Sequence, residues 1–148
     1  MKELILIKLG GSLITNKNNR SVYGLAIVQR DAFKINRIVN EIFLEIGLPV
    51  LSFMPSSFTF AQNKKLNKLF TDPIIKALEI GALPLVLGDI ILDKKNGCCI
   101  FSGETTLDNL IIPLQKAGYS IKKVIQCGIT EGIYDDKGKT IPLITDNL

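Results

Sequence analysis

The chain has 148 residues, of which 47% are hydrophobic and 22% charged, and its formal net charge is +4. This length suits one domain, 1–148, and the composition excludes a disordered chain. The apolar runs are too short to cross a bilayer and no secretory leader is recognised, so we expect a cytoplasmic protein without a membrane partner.

Three features of the sequence limit which partners and metals we expect the chain to bind: its basic residues, its cysteines and the absence of histidine. A lysine-rich stretch, 64–68, lacks interleaved aromatic residues, so we interpret it as a solvated loop and expect no nucleic-acid partner. Cys98, Cys99 and Cys127 do not suggest a disulfide framework, and we predict that all three lie in the core. The absence of histidine excludes Ser-His and Cys-His catalytic pairs, and we predict no metal ligand.

The first half of the chain predicts two strands around one long helix. Glu3 to Lys8 alternates and is rich in Leu and Ile, which indicates a strand. From 25 to 46 the apolar residues recur every three or four positions, which predicts a helix that Gly47 ends. A second strand is predicted over 50–54, and the stretch 55–68 has no clear period.

The second half predicts two more helices and a hairpin. Thr71 is predicted to cap a helix that Pro73 helps to start, and Asn96-Gly97 predicts the hairpin turn. The predicted elements are a helix over 71–80, a buried strand apolar on both faces over 83–87, hairpin strands over 90–93 and 98–101, a helix over 105–116 kinked at Pro113, a strand over 123–127 and a tight turn at 135–138.

This order of elements predicts an α/β fold, a three-layer αβα sandwich with a mainly parallel sheet. Glycine and polar residues cluster in three turns, which are expected at the carboxyl ends of parallel strands, where α/β sheets bind ligands. The three turns are Lys8 with Gly10-Gly11-Ser12, Gly88-Asp89, and Ser102-Gly103-Glu104.

Each turn has a functional and an ordinary interpretation. Glycines let backbone N–H groups approach a phosphate, and Lys8 adds a point charge, although a plain strand-ending turn fits equally well. The acids could orient lysines or hold Mg²⁺, or serve in turns, and Ser102 or Thr105 could simply cap a helix. Neither a Walker A loop nor a dinucleotide-binding fingerprint is present.

Taken in order, the motifs resemble those of isopentenyl phosphate kinases, in the amino acid kinase superfamily. Residues 8–17, reading KLGGSLITNK, resemble the opening of that family. The other similar segments are 47–58 with its Pro-Ser-Ser turn, 87–93 (the GDVV segment), 100–104 (the SGD segment), 131–135 (the DGVY segment) and the turn at 138–142.

The resemblance implies ATP-dependent phosphorylation of isopentenyl phosphate to isopentenyl diphosphate, with ATP and Mg²⁺ as cofactors and direct in-line transfer. It implies that Lys8 and its glycines hold the ATP phosphates, that Lys17 is a second phosphate-contacting lysine, and that Glu104 orients lysines. The implied catalytic residues are Lys8, Lys17 and Glu104, and the implied cofactor-binding residues are Gly10, Gly11, Ser12, Gly88, Asp89, Ser102, Gly103, Glu131, Gly132 and Tyr134.

The same resemblance implies an internally shortened and C-terminally truncated family member, because a histidine-bearing glycine-rich loop and the last family segment have no counterpart. Two alternatives stay open: a related enzyme acting on another small acidic substrate, and a non-catalytic nucleotide-binding remnant. A core this short is expected to leave apolar faces uncovered, which predicts association, for example as a homo-oligomer.

Overall fold

The computed structural model of the chain describes residues 2–9, 22–127 and 132–144. The strands are β1 (Lys2–Leu9), β2 (Val50–Ser52), β3 (Thr59–Gln62), β4 (Lys65–Leu69), β5 (Leu83–Leu85), β6 (Asp89–Asp93), β7 (Gly97–Phe101) and β8 (Tyr119–Cys127). The helices are α1 (Val22–Glu45), α2 (Pro55–Phe58), α3 (Asp72–Glu79) and α4 (Gly103–Lys116).

The strands pair in three sheets. β1 pairs in parallel with β8, from Lys2 opposite Tyr119 to Leu9 opposite Cys127, and β2 pairs in parallel with β5. The third sheet has the order β4-β3-β6-β7, with β3 parallel to β6 and the other two pairs antiparallel. The α/β class is confirmed. The Ser102 turn, however, follows β7, which runs antiparallel to β6, so the expectation that it ends a parallel strand is wrong.

Most elements with a strong local signal lie where the sequence predicts them. The first strand, the long helix, the Asn96-Gly97 hairpin and α4 are confirmed. Gly47 ends α1 with a φ of +80°, and Gly97 adopts +74°, which are conformations that glycine reaches without steric cost. Thr71 precedes α3, but its side chain makes no capping hydrogen bond, so that predicted cap is wrong.

The stretch without a clear period contains one short helix and a hairpin. α2, β3 and β4 occupy 55–69, so the interpretation of 64–68 as a solvated loop is wrong. The hairpin turn uses Asn63 and Lys64, both at positive φ, 54° and 63°. Because lysine rarely adopts this conformation, the sequence gives little sign of the turn.

The core consists of two clusters of buried side chains. The larger joins Leu6 on β1 to Ile74, Leu110, Leu114 and Tyr119, so that α3 and α4 cover one face of the β1–β8 pair. The smaller packs Ala61, Ile91 and Phe101 within the third sheet. These contacts fix the start of α4 next to the end of β1.

Large apolar side chains are exposed on two elements. On β1, Ile5, Ile7 and Leu9 alternate with buried Leu6 and are exposed, and the helix α1 carries exposed Ile38 among others. The expected uncovered faces are therefore confirmed, whereas association remains a prediction. No helix in the described part of the chain is long and apolar enough to span a membrane.

The cysteines differ from one another in exposure. Cys98 and Cys99 are half-buried and Cys127 is exposed at the end of β8, and all three are free thiols. The prediction that Cys127 lies in the core is wrong, because the last six residues of β8 are all exposed.

Candidate functional site

Lys8 and Glu104 form an ion pair that links the end of β1 to the first turn of α4. Lys8 faces the same side of β1 as buried Leu6, and only 21% of its side chain is exposed. Glu104 is 44% exposed. The two residues lie 96 positions apart, so the tertiary fold brings together two of the residues that the sequence singled out.

The acidity of Glu104 follows from these contacts. The Lys8 ammonium, the Glu104 backbone N–H and the Ser102 hydroxyl all stabilise its carboxylate and hold its pKa at about 2, against an ordinary value of 4.5. Glu104 is therefore an anion at neutral pH, and its negative charge lies next to the Lys8 ammonium.

Ser102 caps α4, as one of the two ordinary interpretations predicted. Its Oγ accepts a hydrogen bond from the Thr105 N–H at 3.2 Å, and its carbonyl accepts one from the Thr106 N–H at 2.9 Å. The Gly103 N–H has no hydrogen-bond partner among the described residues. The amino end of a helix carries partial positive charge, and in this corner it lies together with the Lys8 ammonium and the Glu104 carboxylate.

Gly88 lies directly against this corner. A Cβ on residue 88 would lie 3.1 Å from the Gly103 nitrogen and 3.2 Å from the Phe101 carbonyl oxygen. Such contacts are tighter than real Cβ atoms normally make, so a glycine at this position lets the chain at 88 pack closely against the start of α4. Two of the three predicted turns are thus in backbone contact.

Asp89 is buried and its carboxylate is used within the fold. Its Oδ2 accepts from the Ser56 N–H and its Oδ1 from the Ile90 N–H, both at 2.8 Å. Ser56, which the sequence analysis did not place at the site, thereby ties the Pro-Ser-Ser turn to the start of β6. The only sequence signal for it is that turn motif itself.

Gly132 and Tyr134 belong to a separate turn at 132–144. Tyr134 pairs with Thr140, and the Asp135 carboxylate accepts from the N–H groups of Lys137 and Lys139. Gly132 has a φ of +152°, and a Cβ there would lie 2.9 Å from a Thr140 methyl group. Within the described residues the hydrogen bonds of this turn are internal to it.

Five predicted site residues lie outside the described residues: Gly10, Gly11, Ser12, Lys17 and Glu131. Their roles stay predictions. Over the ranges 2–9, 22–127 and 132–144, no group of three or more Cys, Asp or Glu side chains is placed to hold a metal ion.

Known proteins similar to this chain are isopentenyl phosphate kinases. The chain is 28% identical to the isopentenyl phosphate kinase of Methanothermobacter thermautotrophicus over 136 residues, 89% of this chain and 49% of the relative. It is 29% identical to that of Methanocaldococcus jannaschii over 103 residues, 70% of this chain and 37% of the relative. The chain therefore spans at most about half the length of these curated relatives. No family model matches it.

Solved structures give the same result. An isopentenyl phosphate kinase structure superposes with a TM-score of 0.69 at 27% identity, covering 76% of this chain and 45% of that one. A product complex of the Thermoplasma acidophilum isopentenyl phosphate kinase gives 0.71 at 22% identity, covering 92% and 59%. The predicted resemblance and the predicted amino acid kinase-like fold are confirmed.

Proposed function

We propose that this chain carries the phosphate-binding half of an isopentenyl phosphate kinase, a phosphotransferase that acts on a small phosphorylated substrate. The single observation that carries the proposal is the Lys8–Glu104 pair beside the Gly103 N–H, which has no hydrogen-bond partner among the described residues. It brings a cation and a helix amino end together, and both belong to motifs that resemble those of the family. The similarity to curated isopentenyl phosphate kinases supports the choice of substrate.

The residues of this corner fit a nucleotide phosphate. Lys8 supplies a point charge, the amino end of α4 supplies an N–H donor, and Gly88 lets the turn that precedes β6 pack closely against that helix end. When bound, ATP with Mg²⁺ supplies the phosphoryl group that is transferred. Asp89 does not serve as a free acid here, because two backbone amides occupy its oxygens.

Catalysis by this chain would consist of positioning and charge stabilisation. Lys8 stabilises negative charge on the phosphate oxygens, and Glu104 holds the lysine in place before the phosphate arrives. Because Glu104 keeps its charge at neutral pH, it fixes the direction of the Lys8 side chain without taking up a proton. The roles of Lys17, Gly10, Gly11 and Ser12 in the same cradle belong to this proposal.

Calorimetric titration with MgATP, with and without isopentenyl phosphate, tests the proposal. We expect saturable binding that Lys8→Ala reduces by about 10²-fold or more, since a charge-assisted phosphate contact is lost. Lys122→Ala is the matched control, because Lys122 is also a strand lysine paired with a glutamate, Glu3, at 2.9 Å. This control should bind MgATP like the parent chain.

The outcomes separate the alternatives. Binding with transfer to isopentenyl phosphate supports the kinase, whereas binding with transfer only to another small acid supports the related enzyme. MgATP binding without any transfer supports the nucleotide-binding remnant. A folded chain that binds no MgATP, or a Lys8→Ala variant that binds as well as the parent, contradicts the phosphate-binding role.

A further inference from the structure

Two hairpin turns of the third sheet donate hydrogen bonds to the same buried carboxylate. Asp93 accepts hydrogen bonds from the backbone N–H groups of Asn63 (3.1 Å) and Lys64 (2.5 Å) in the β3–β4 turn. It also accepts from those of Lys95 (2.7 Å) and Asn96 (2.9 Å) in the β6–β7 turn. Since all four amides donate to one carboxylate, the two turns lie side by side.

The joined turns carry a concentrated positive charge, which we call the basic tip. It consists of the exposed lysines Lys64, Lys65, Lys94 and Lys95. None of them forms an ion pair in the part of the chain described. The hairpins 59–69 and 89–101 contain only two acids, Asp89 and Asp93, both buried and bound to backbone amides.

The rest of the chain is close to neutral. It holds 13 of the 18 basic residues and 12 of the 14 acidic ones, so the two hairpins carry +3 of the net charge of +4. Because their two carboxylates are buried, the exposed surface of these hairpins presents only positive charge. A surface of this kind attracts a partner with an extended negative charge.

Exposed aliphatic side chains lie next to the lysines. Leu66 follows Lys64-Lys65 and is 39% exposed, and Leu92 precedes Asp93 and is 57% exposed. Ala61 pairs with Leu66 on one side and with Asp93 on the other, so the register places both leucines at the end of the sheet that bears the turns. The basic tip is therefore mixed, with cations and aliphatic groups together.

We propose that the basic tip docks this chain onto a membrane surface rich in anionic lipids. Lysines near such a surface gain attraction to the headgroups, and the exposed leucines can enter the boundary between headgroups and acyl chains. This partner was not expected from the sequence, because Lys94 and Lys95 are far from 64–68 in the chain and are brought near it by the shared Asp93 and the pairing of β3 with β6.

Nucleic acid is the less suitable partner for this surface. The tip contains no arginine, and its one aromatic ring, Phe60, lies 5.9 Å below the Lys94 ammonium and is not free to stack on a base. The tip is also separate from the Lys8–Glu104 corner. The strand β6 runs from Asp89 to Asp93, a length of about 13 Å, so docking leaves the other end of the hairpin open.

Co-sedimentation of the full chain with vesicles tests this proposal. We expect binding to phosphatidylcholine vesicles that contain phosphatidylglycerol, little binding to phosphatidylcholine alone, and release when salt is raised toward 1 M. The double variant Lys94→Gln/Lys95→Gln should lower the partition coefficient about 25-fold, at about fivefold for each lysine. The control Lys116→Gln/Lys123→Gln removes the same charge from exposed lysines elsewhere and should change it by less than about twofold.

A second variant separates a membrane from another polyanion. Leu92→Ser keeps every charge and should weaken vesicle binding about threefold or more, because an aliphatic group no longer enters the boundary region. The proposal is overturned if the chain does not bind anionic vesicles, or if the two double variants bind them equally well. It is also overturned if the chain binds an oligonucleotide but not the vesicles, or if Leu92→Ser changes nothing.

Discussion

Two carboxylates at opposite ends of the β6–β7 hairpin are stabilised in opposite ways. Asp93 is 4% exposed and is held by four backbone N–H groups and the Asn96 side chain. The Glu104 side chain is 44% exposed and is held mainly by Lys8. In the folded chain, backbone amides cannot move away from the carboxylate that they bind, whereas a lysine side chain can turn toward a new anion. The first arrangement suits a structural role and the second suits ligand exchange.

Replacing Asp93 should have the largest effect on stability. Asp93→Asn removes the negative charge that all of these donors share and sets an NH₂ group against the Lys64 N–H, which now donates to Oδ2, so we expect the unfolding midpoint to fall by about 5 °C or more. The control is Asp31→Asn, at an exposed acid that pairs with Arg30 and Lys34, and it should shift the unfolding midpoint little. Equal thermal shifts in the two variants would show that the amides around Asp93 find other partners.

Gly88→Ala should disturb the other end of the hairpin. Its new Cβ would meet backbone atoms that cannot move aside, the Gly103 nitrogen at 3.1 Å and the Phe101 oxygen at 3.2 Å. We expect a loss of about 1–3 kcal/mol in chemical denaturation, together with weaker MgATP binding. Gly103→Ala is the matched control, because its Cβ would approach nothing closer than 4.0 Å. A Gly88→Ala chain as stable as this control would contradict the close contact.

Lys64→Gly should stabilise the turn that Asp93 holds. Lys64 has a φ of 63°, and glycine removes the steric cost of that conformation, so we expect a gain of about 1 kcal/mol in urea unfolding. Lys65→Gly, in the neighbouring strand β4, should instead be destabilising by a similar amount. If both substitutions destabilise equally, the positive φ of Lys64 carries no steric cost that glycine relieves.

The pH dependence of Glu104 should be the smallest effect. Its pKa lies below the ordinary value, so the carboxylate contributes stability that is complete above about pH 4.5 and is lost as the pH falls through about 2. Because Glu104 is partly exposed, the contribution is less than about 1 kcal/mol. The unfolding free energies of the parent and Glu104→Gln should therefore differ near pH 6 and converge toward pH 2. A constant difference would mean that the charge of Glu104 is not involved.

Local signals in the sequence were sufficient for β1, α1, the Asn96-Gly97 hairpin and α4. They failed at 55–69, where β4 does not alternate and the Asn63-Lys64 turn contains no glycine. That turn depends on Asp93, thirty residues away, and a local pattern cannot show such a partner. The same limit applies to Asp89. The sequence predicted it as a site acid, but in the fold its carboxylate accepts a hydrogen bond from the Ser56 N–H.

The Lys8–Glu104 contact was anticipated only as two separate motifs. The Lys8 motif indicates a phosphate-binding lysine, and the Ser102-Gly103-Glu104 motif indicates an acid that orients lysines. Neither motif states that the two side chains meet. Their meeting depends on the packing of Leu110 and Leu114 against Leu6, which places α4 beside β1.

Because β1 pairs with β8, β1 cannot form its sheet until β8 has been synthesised. β1 leaves the ribosome before its parallel partner, which follows about 110 residues later. At about 5–20 residues per second, the exposed Ile5 and Ile7 remain without a sheet partner for roughly 5–20 s.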